Sequence, residues 1–286
     1  MTSTRDKALL FRSLHDKTRV LVLPNAWDAA SARLIEDAGA AEVATTSAGV
    51  AWSLGAADGD QLARDAALAL IARVVAAVDV PVTADIEGGY ASGPDGVGET
   101  IRGVLAAGAV GVNLEDADHA GPAPLRPVNE QSERIGAARQ AADAASVPLF
   151  VNARIDTYLR QVGDPATRLR ETLERAAAYL AAGADGIFVP GVTDPATVAA
   201  LASGIEAPLN VLAGPGAPTI GALAELGVAR VSLGPAITQA AYAVVRRSAR
   251  EVLTAGTYTA LADRVDYPEL NGMLRKGRHG NAHPLR

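Results

Sequence analysis

Four times along the chain an alanine-rich amphipathic stretch ends in a glycine and passes directly into a short apolar run. The four are IEDAGAAEVATTS (35–47), VLAAGAVGVNLED (104–116), YLAAGADGIFVPG (179–191) and LAELGVARVSLGP (223–235). A glycine there suits the left-handed residue that ends a helix. The β-branched run behind it suits a strand buried on both faces, as parallel sheets require. Four further apolar runs fill the gaps: VLVLP (20–24), VPVTAD (80–85), VPLFVNA (147–153) and PLNVLAG (208–214). Eight strands alternating with helices over about 230 residues meet the requirement of a (β/α)8 barrel, an α/β fold of the TIM type. A doubly wound open sheet is the competing arrangement. LPNAWDAAS after the first strand lacks the glycine fingerprint such a sheet usually shows there. One domain over residues 1–286 is expected. Residues 4–16 form an extra N-terminal helix, and 236–286 a C-terminal region that is helical to 263 and ends in a poorly ordered tail, NGMLRKGRHGNAHPLR.

Composition narrows the function classes. With 286 residues, 49% of them hydrophobic, the chain can bury a sizeable core. A formal charge of −6 and a pI near 5.3 argue against a general nucleic-acid binder. No apolar run approaches the roughly 20 residues that span a bilayer. The start, MTSTRDKALLFRSLHDK, reads as a charged amphipathic helix and not as a secretory leader, so a cytoplasmic location is expected. The chain has no cysteine, which removes disulfides, zinc–thiolate sites and a cysteine nucleophile or acid.

In a barrel the chemistry belongs at the C-terminal ends of the strands. The first predicted strand ends in Asn25 and Asp28, the second in Thr45, Thr46 and Ser47, and the third in Asp85 and Glu87. The fourth ends in Asn113, Glu115 and Asp116, and the fifth in Asn152, Arg154 and Asp156, while the seventh carries Asn210. Any one acid at such a place is more often a helix cap, and Asp28 and Asp95 read that way. Three carboxylates from neighbouring strands, Asp85, Glu87 and Glu115, repel one another unless a cation or protons intervene. Oxygen ligands without adjacent His or Cys suit Mg²⁺ or Mn²⁺. Arg154 at the same mouth offers a fork for a substrate carboxylate. His119 lies in DADHAGPAPLRP, a lone histidine that reads as solvated unless the loop closes as a lid. AGPGAP (213–218) has no nearby Lys or Ser and reads as a turn.

LPNAWDAASARLIEDAGA, TTSAGVAWSLGAADG, DIEGGY, NLED and VNARIDTYL, in this order at strand ends, resemble the isocitrate lyase/phosphoenolpyruvate mutase superfamily, with its 2-methylisocitrate lyase-like and phosphonomutase-like members. The resemblance implies an eight-stranded barrel whose last helix is exchanged with a neighbouring subunit, within a homotetramer built as a dimer of helix-swapped dimers. It implies Mg²⁺ (or Mn²⁺) held directly by Asp85, with Glu87 and Glu115 acting partly through water. Backbone amides at Thr46, Ser47 and Ala48 would bind the carboxylate and oxo group of a pyruvate-like substrate. Asp58, preceded by Ala57 where the family has proline, and Arg154 match acid and arginine positions near the substrate, and Asn210 a polar residue after the seventh strand. The activity implied is a metal-dependent lyase that cleaves a bond beside a small 2-oxo or 2-hydroxy acid through a pyruvate-type enolate. A cation and an arginine placed where that negative charge develops lower the barrier.

The chain also departs from the pattern. The lid of the isocitrate and methylisocitrate lyases carries an acidic cysteine, whereas the loop here reads EDADHAGPAPLRPVNEQ, which leaves His119 as the titratable group. Ala44 stands where those lyases have a tyrosine, FVPGV lacks their glutamate, and Thr238 replaces an arginine. Those groups read the extra carboxylates of a tricarboxylic acid, which is costly to bury without partners. A smaller oxo acid fits better. C–C cleavage, C–P transfer between phosphoenolpyruvate and phosphonopyruvate, and ligand binding without catalysis all remain open to the residues.

Overall fold

In the computed structural model, which describes residues 3–15 and 19–276, the repeated glycines end helices as expected. Gly39, Gly108, Gly183 and Gly227 take φ of 95°, 91°, 109° and 88°. The residue behind each donates its N–H back across the helix end: Ala40 to Ile35, Ala109 to Val104, Ala184 to Tyr179 and Val228 to Leu223, at 3.0–3.3 Å. This satisfies carbonyls that the helix leaves without partners. A further helix closes the same way on Ser146 (φ 56°), with Val147 donating to Ala142 at 3.2 Å.

The elements begin α1 (Thr4–Ser13), β1 (Leu21–Leu23), β2 (Asn25–Ala26), α2 (Ala29–Asp37), β3 (Val43–Thr45), α3 (Ser47–Ser53), α4 (Arg64–Ala77), β4 (Val82–Asp85) and α5 (Pro94–Ala107). They continue β5 (Gly111–Glu115), α6 (Val128–Ala144), β6 (Phe150–Arg154), α7 (Arg168–Ala181), β7 (Gly186–Val189), α8 (Pro195–Gly204) and β8 (Leu209–Leu212). The chain closes with α9 (Ile220–Glu225), β9 (Arg230–Ser232), α10 (Ala236–Thr254), a short 3₁₀ turn and α11 (Tyr267–Lys276).

Among the described residues nine strand segments pair in parallel, in the order β1-β9-β8-β7-β6-β5-β4-β3-β2. Eight expected strands become nine because Pro24, which has no N–H to donate, interrupts the first. β1 pairs with β9 and β2 with β3, so the two pieces of one strand carry the two edges of the sheet. The covalent link at Pro24 therefore brings the edges together. Asn25 fastens the seam with its side chain: Nδ2 donates to Thr45 O at 2.9 Å, and Oδ1 accepts from Leu233 N at 3.0 Å and Gly234 N at 2.8 Å.

The main apolar core lies between the strands and the surrounding helices, with Val74, Ile101, Val104, Ile135, Leu149 and Leu201 buried. A second, smaller core stoppers the N-terminal end of the barrel, where α1 brings Ala8 and Phe11 onto Leu21, Leu23 and Phe150. Above that stopper the interior is polar. Asn152 Nδ2 donates to Asn113 Oδ1 at 2.9 Å and Asn210 Oδ1 at 3.1 Å, and Asn210 Nδ2 to Ser232 Oγ at 3.0 Å. Glu42 and Arg230 are buried beside this layer. Branched apolar residues usually fill such a barrel. Here the amide layer supports a polar mouth.

Asp28 caps α2, accepting from Ser31 N at 2.7 Å. Asp95 is not a cap: Gly93 holds that place in α5 and Asp95 lies in the first turn, where its charge still favours the helix dipole. Asn271–Lys276, expected in a poorly ordered tail, are the end of α11; residues 277–286, and the 16–18 stretch at the expected end of the first helix, lie outside the described residues. No described helix is long and apolar enough to cross a membrane.

Candidate active site

Asp85 is the last residue of β4, and two contacts fix it: its N–H donates to Thr45 Oγ1 at 2.9 Å, and Oδ2 accepts from Ser47 N at 3.0 Å. Its other oxygen, Oδ1, is buried without a hydrogen-bond partner. Glu87, two residues on, is buried with φ 49°. Its Oε2 accepts from Gly59 N at 2.9 Å and from Asp60 N, while Oε1 is likewise buried without a partner. Glu115 ends β5, in register with Arg154 at the end of β6. Its Oε1 meets His119 Nε2 at 2.8 Å and its Oε2 meets Arg154 Nη1 at 2.6 Å. Asp156 grips the other side of Arg154, at 2.7 Å to Nε and 2.9 Å to Nη2. The guanidinium thus spends three of its five N–H groups, leaving one on each Nη.

The acids raise one another. Burial lifts Glu87 to about 7, and Asp58, Asp60 and Asp85 add to the lift against the Asp60 amide. Burial and then Asp85 raise Asp58, with Arg154 opposing. Burial raises Glu115 against the pull of Arg154. Burial alone would lower Arg154, but Glu115, Asp156 and Asp85 push it up instead. A cation among these groups would reverse the carboxylate shifts.

Whether the residues fit a metal is decided by the two orphaned oxygens. An unpartnered buried carboxylate oxygen costs free energy on the order of 1–3 kcal/mol, and Asp85 Oδ1 and Glu87 Oε1 are two of them in one mouth. No three His, Asp or Glu side chains among the described residues converge into a ready-made cage. Mg²⁺, which keeps several waters and takes one or two carboxylates directly, does not require such a cage. Glu115 is already engaged by His119 and Arg154.

The other expected residues fall as follows. Thr46 and Ser47 are buried where β3 passes into α3; Thr46 N donates to Ala26 O at 3.0 Å and Ser47 N is taken by Asp85. Ala48 N opens the first helical turn, where amides have no intrahelical carbonyl. Gly49 is required by close approach: a Cβ there would lie 2.7 Å from Thr238 Oγ1 and 2.9 Å from Trp27 Cβ. His119 is exposed, as expected of that loop, but its ring is not free. It lies between Glu115 and Arg160 and packs against Gly59, whose Cβ position is 2.9 Å from Nδ1. The hydrogen bond to Glu115 holds its imidazole above the ordinary value, while burial and Arg160 pull down. Asn210 is not brought to the rim; it sits fully buried in the amide layer beneath.

Three residues were missed by the strand-end reading. Asp60 accepts from Gly88 N at 3.2 Å, Arg160 reaches His119, and buried Arg134 donates to the carbonyls of Gly88 and, at 3.1 Å, Ala91. One signal is visible only in the backbone. Of five non-glycine residues with positive φ among those described, Asp60, Glu87, Tyr90 and Gln161 all belong to these rim loops. Such strain concentrates at functional sites.

A family profile described as phosphoenolpyruvate phosphomutase matches residues 11–253. The chain belongs to that family. Among relatives of this phosphomutase-family protein, an uncharacterised protein of Mycobacterium tuberculosis is 38% identical over 270 residues, 92% of this chain and 95% of the relative. The 2-methylisocitrate lyase of Escherichia coli is 30% identical over 204 residues, 70% of this chain and 67% of that enzyme. A crystal structure from Burkholderia cenocepacia, provisionally described as a phosphonomutase, matches with TM-score 0.82 at 45% identity, over 86% of this chain and 99% of that one. A phosphonopyruvate hydrolase in complex with oxalate and Mg²⁺ shares the fold, with TM-score 0.83 at 24% identity over 95% and 96% of the two chains. The superfamily expected from the strand-end fragments holds, and the phosphomutase-family protein is an enzyme of that superfamily.

Proposed function

We propose that this protein is a Mg²⁺-dependent lyase that releases a pyruvate-type enolate from a small 2-oxo or 2-hydroxy acid, with Mn²⁺ as a substitute ion. The observation that carries the reading is the pair of orphaned oxygens, Asp85 Oδ1 and Glu87 Oε1, buried on the same rim of the barrel as Arg154. Asp85 would hold the ion directly, with Glu87 and Glu115 acting partly through water. The ion supplies a Lewis acid where charge develops on the oxo oxygen. Arg154 binds the substrate carboxylate through its two uncommitted N–H groups and fixes its orientation. The Ala48 amide completes the pyruvoyl subsite, since Thr46 N and Ser47 N already hold Ala26 and Asp85 in place. Asp58 and His119 stand at the reacting end as the groups that move a proton. Asn210 supports the site from below through Asn152 and Asn113.

C–P transfer is the second reading. What favours it is the pair Arg160 and His119, 3.0 Å apart at the mouth, which would face a phosphonate. In either case the protein would work in the cytoplasm as a homotetramer that exchanges α10. Support for that exchange is the exposure of Tyr242, Val244, Val245, Val252 and Leu253 on a 19-residue helix that buries only Thr238 and Ser248.

Calorimetric titration of Mg²⁺ and then oxalate tests the ion site. The wild type should bind both, and Asp85→Ala neither. Incubation with Mg²⁺ and oxaloacetate, a 2-methylmalate-type acid or phosphonopyruvate should consume at least one, with a new phosphorus resonance only if C–P chemistry occurs. Unchanged turnover in Asp85→Ala would sink the assignment.

A further inference from the structure

The loop after β6 carries a second arginine to the mouth. Asp156–Val162 folds back on itself: Arg160 N donates to Asp156 O at 2.9 Å and Val162 N to Thr157 O at 2.9 Å, with Gln161 at φ 51°. The turn holds the Arg160 side chain over Glu115 and His119, about a quarter exposed, at 28%. Its Nη2 lies 3.0 Å from His119 Nδ1. The same Nη2 lies 3.4 Å from Nε2, so the guanidinium sits against the imidazole, whose Nε2 meets Glu115 Oε1 at 2.8 Å.

The charge on Arg160 is poorly matched. Its nearest carboxylate, Asp156, lies 3.7 Å from Nε and already accepts two bonds from Arg154, at 2.7 and 2.9 Å. Among the described residues Nη1 makes no hydrogen bond. A guanidinium ordered by its own turn, at the acidic rim, and sharing its one carboxylate with Arg154 has capacity for a further anion. Two guanidinium groups thus flank Asp156, with Arg154 inside and Arg160 outside.

We propose that Arg160 is a specificity-determining residue that binds a second anionic group of the substrate, at the end remote from the pyruvoyl carboxylate. This rests on the reading of the site given above. It makes the substrate a 2-oxo acid bearing a further carboxylate or phosphonate, and it explains how a dianion is admitted past Asp58, Asp60 and Glu115. A monoanionic 2-oxo acid would leave Arg160 without its partner and bind more weakly.

The test uses full-length protein with Mg²⁺, wild type beside Arg160→Gln and Arg160→Lys. Oxalate, which fills the pyruvoyl half alone, serves as inhibitor; oxaloacetate and phosphonopyruvate are the two dianionic substrates. Arg160→Gln should raise KM for the substrate that is turned over by about 10- to 100-fold, the loss of one charged hydrogen-bonding group. The oxalate inhibition constant should stay within about twofold, and Arg160→Lys should fall between the wild type and Arg160→Gln. Whichever substrate shows the KM effect identifies the distal group as carboxylate or phosphonate. Equal weakening of oxalate and substrate, or a fall in kcat at constant KM, overturns the proposal and leaves Arg160 as a tether for His119. Wild type that binds oxalate but turns over neither dianion overturns it too. Failure of the wild type to bind oxalate with Mg²⁺ instead removes the reading of the whole site.

Discussion

Glu42 stands immediately before β3, fully buried, and neither of its carboxylate oxygens has a hydrogen-bond partner. Burial raises its pKa from 4.5 to about 8, against the Arg230 charge, which pulls it down. The folded protein therefore keeps a proton that the unfolded chain releases above about pH 4.5. Stability tied to this group is complete below that pH, declines as pH rises, and is lost once pH passes about 8. At roughly 1.4 kcal/mol per pH unit the full effect is about 5 kcal/mol. Glu42→Gln is nearly isosteric and uncharged at every pH. It should match the wild type within about 1 kcal/mol at pH 5 and exceed it by about 3–5 kcal/mol at pH 8.5. Urea unfolding followed by circular dichroism, at equal protein concentration and with EDTA to remove metal linkage, measures both. Parallel pH profiles would refute the reasoning. A variant less stable at pH 8.5 would refute it further, by showing that Glu42 is ionised and paired with Arg230, whose isolation in the core costs about 3–5 kcal/mol.

Asn25→Ala removes three hydrogen bonds from the barrel seam, and thermal or urea unfolding should show a loss of about 2–4 kcal/mol. Arg134→Met frees the carbonyls of Gly88 and Ala91 behind Glu87. Titration should show Mg²⁺ affinity weakened by about tenfold, with partial rescue in Arg134→Lys, whereas a merely structural role would lower the melting temperature and leave affinity intact. Val245→Asp combined with Leu253→Asp charges the exposed face of α10. Light scattering should then report a smaller species than the wild type, and an unchanged mass would remove α10 from the interface.

Strand order and helix ends were legible because both are written locally. Gly39, Gly108, Gly183 and Gly227 each occur at the one place in the phrase where a left-handed residue is needed. Asp85, Glu115 and Arg154 could be placed because each ends an apolar run, and parallel neighbours set their ends side by side. What a parallel strand does not write is which buried side chains face the barrel axis. Inward and outward positions are both covered, so the alternation that marks a half-exposed strand is missing. Asn210 accordingly reads as a strand-end residue, although it is buried, as are Glu42 and Arg230.

The loops were legible in composition and not in conformation. DIEGGY offers two glycines, and positive φ would be assigned to them before any other residue. Gly89 does take φ 86°, but Glu87 and Tyr90 take 49° and 50° as well. A side chain in that region costs about 1–2 kcal/mol, so something must hold Glu87 there. The Gly59 and Asp60 amides hold its carboxylate from one side, and Arg134 and Thr100 hold the carbonyls of Gly88, Gly89 and Ala91 from the other. Those four partners come from segments up to 46 residues away, and no spacing rule connects them. The clamp fixes the carboxylate by Oε2 and leaves Oε1 buried without a protein partner. Relaxing the backbone would return Glu87 to ordinary φ and turn that oxygen elsewhere, which is why this position favours a clamped glutamate over a flexible one.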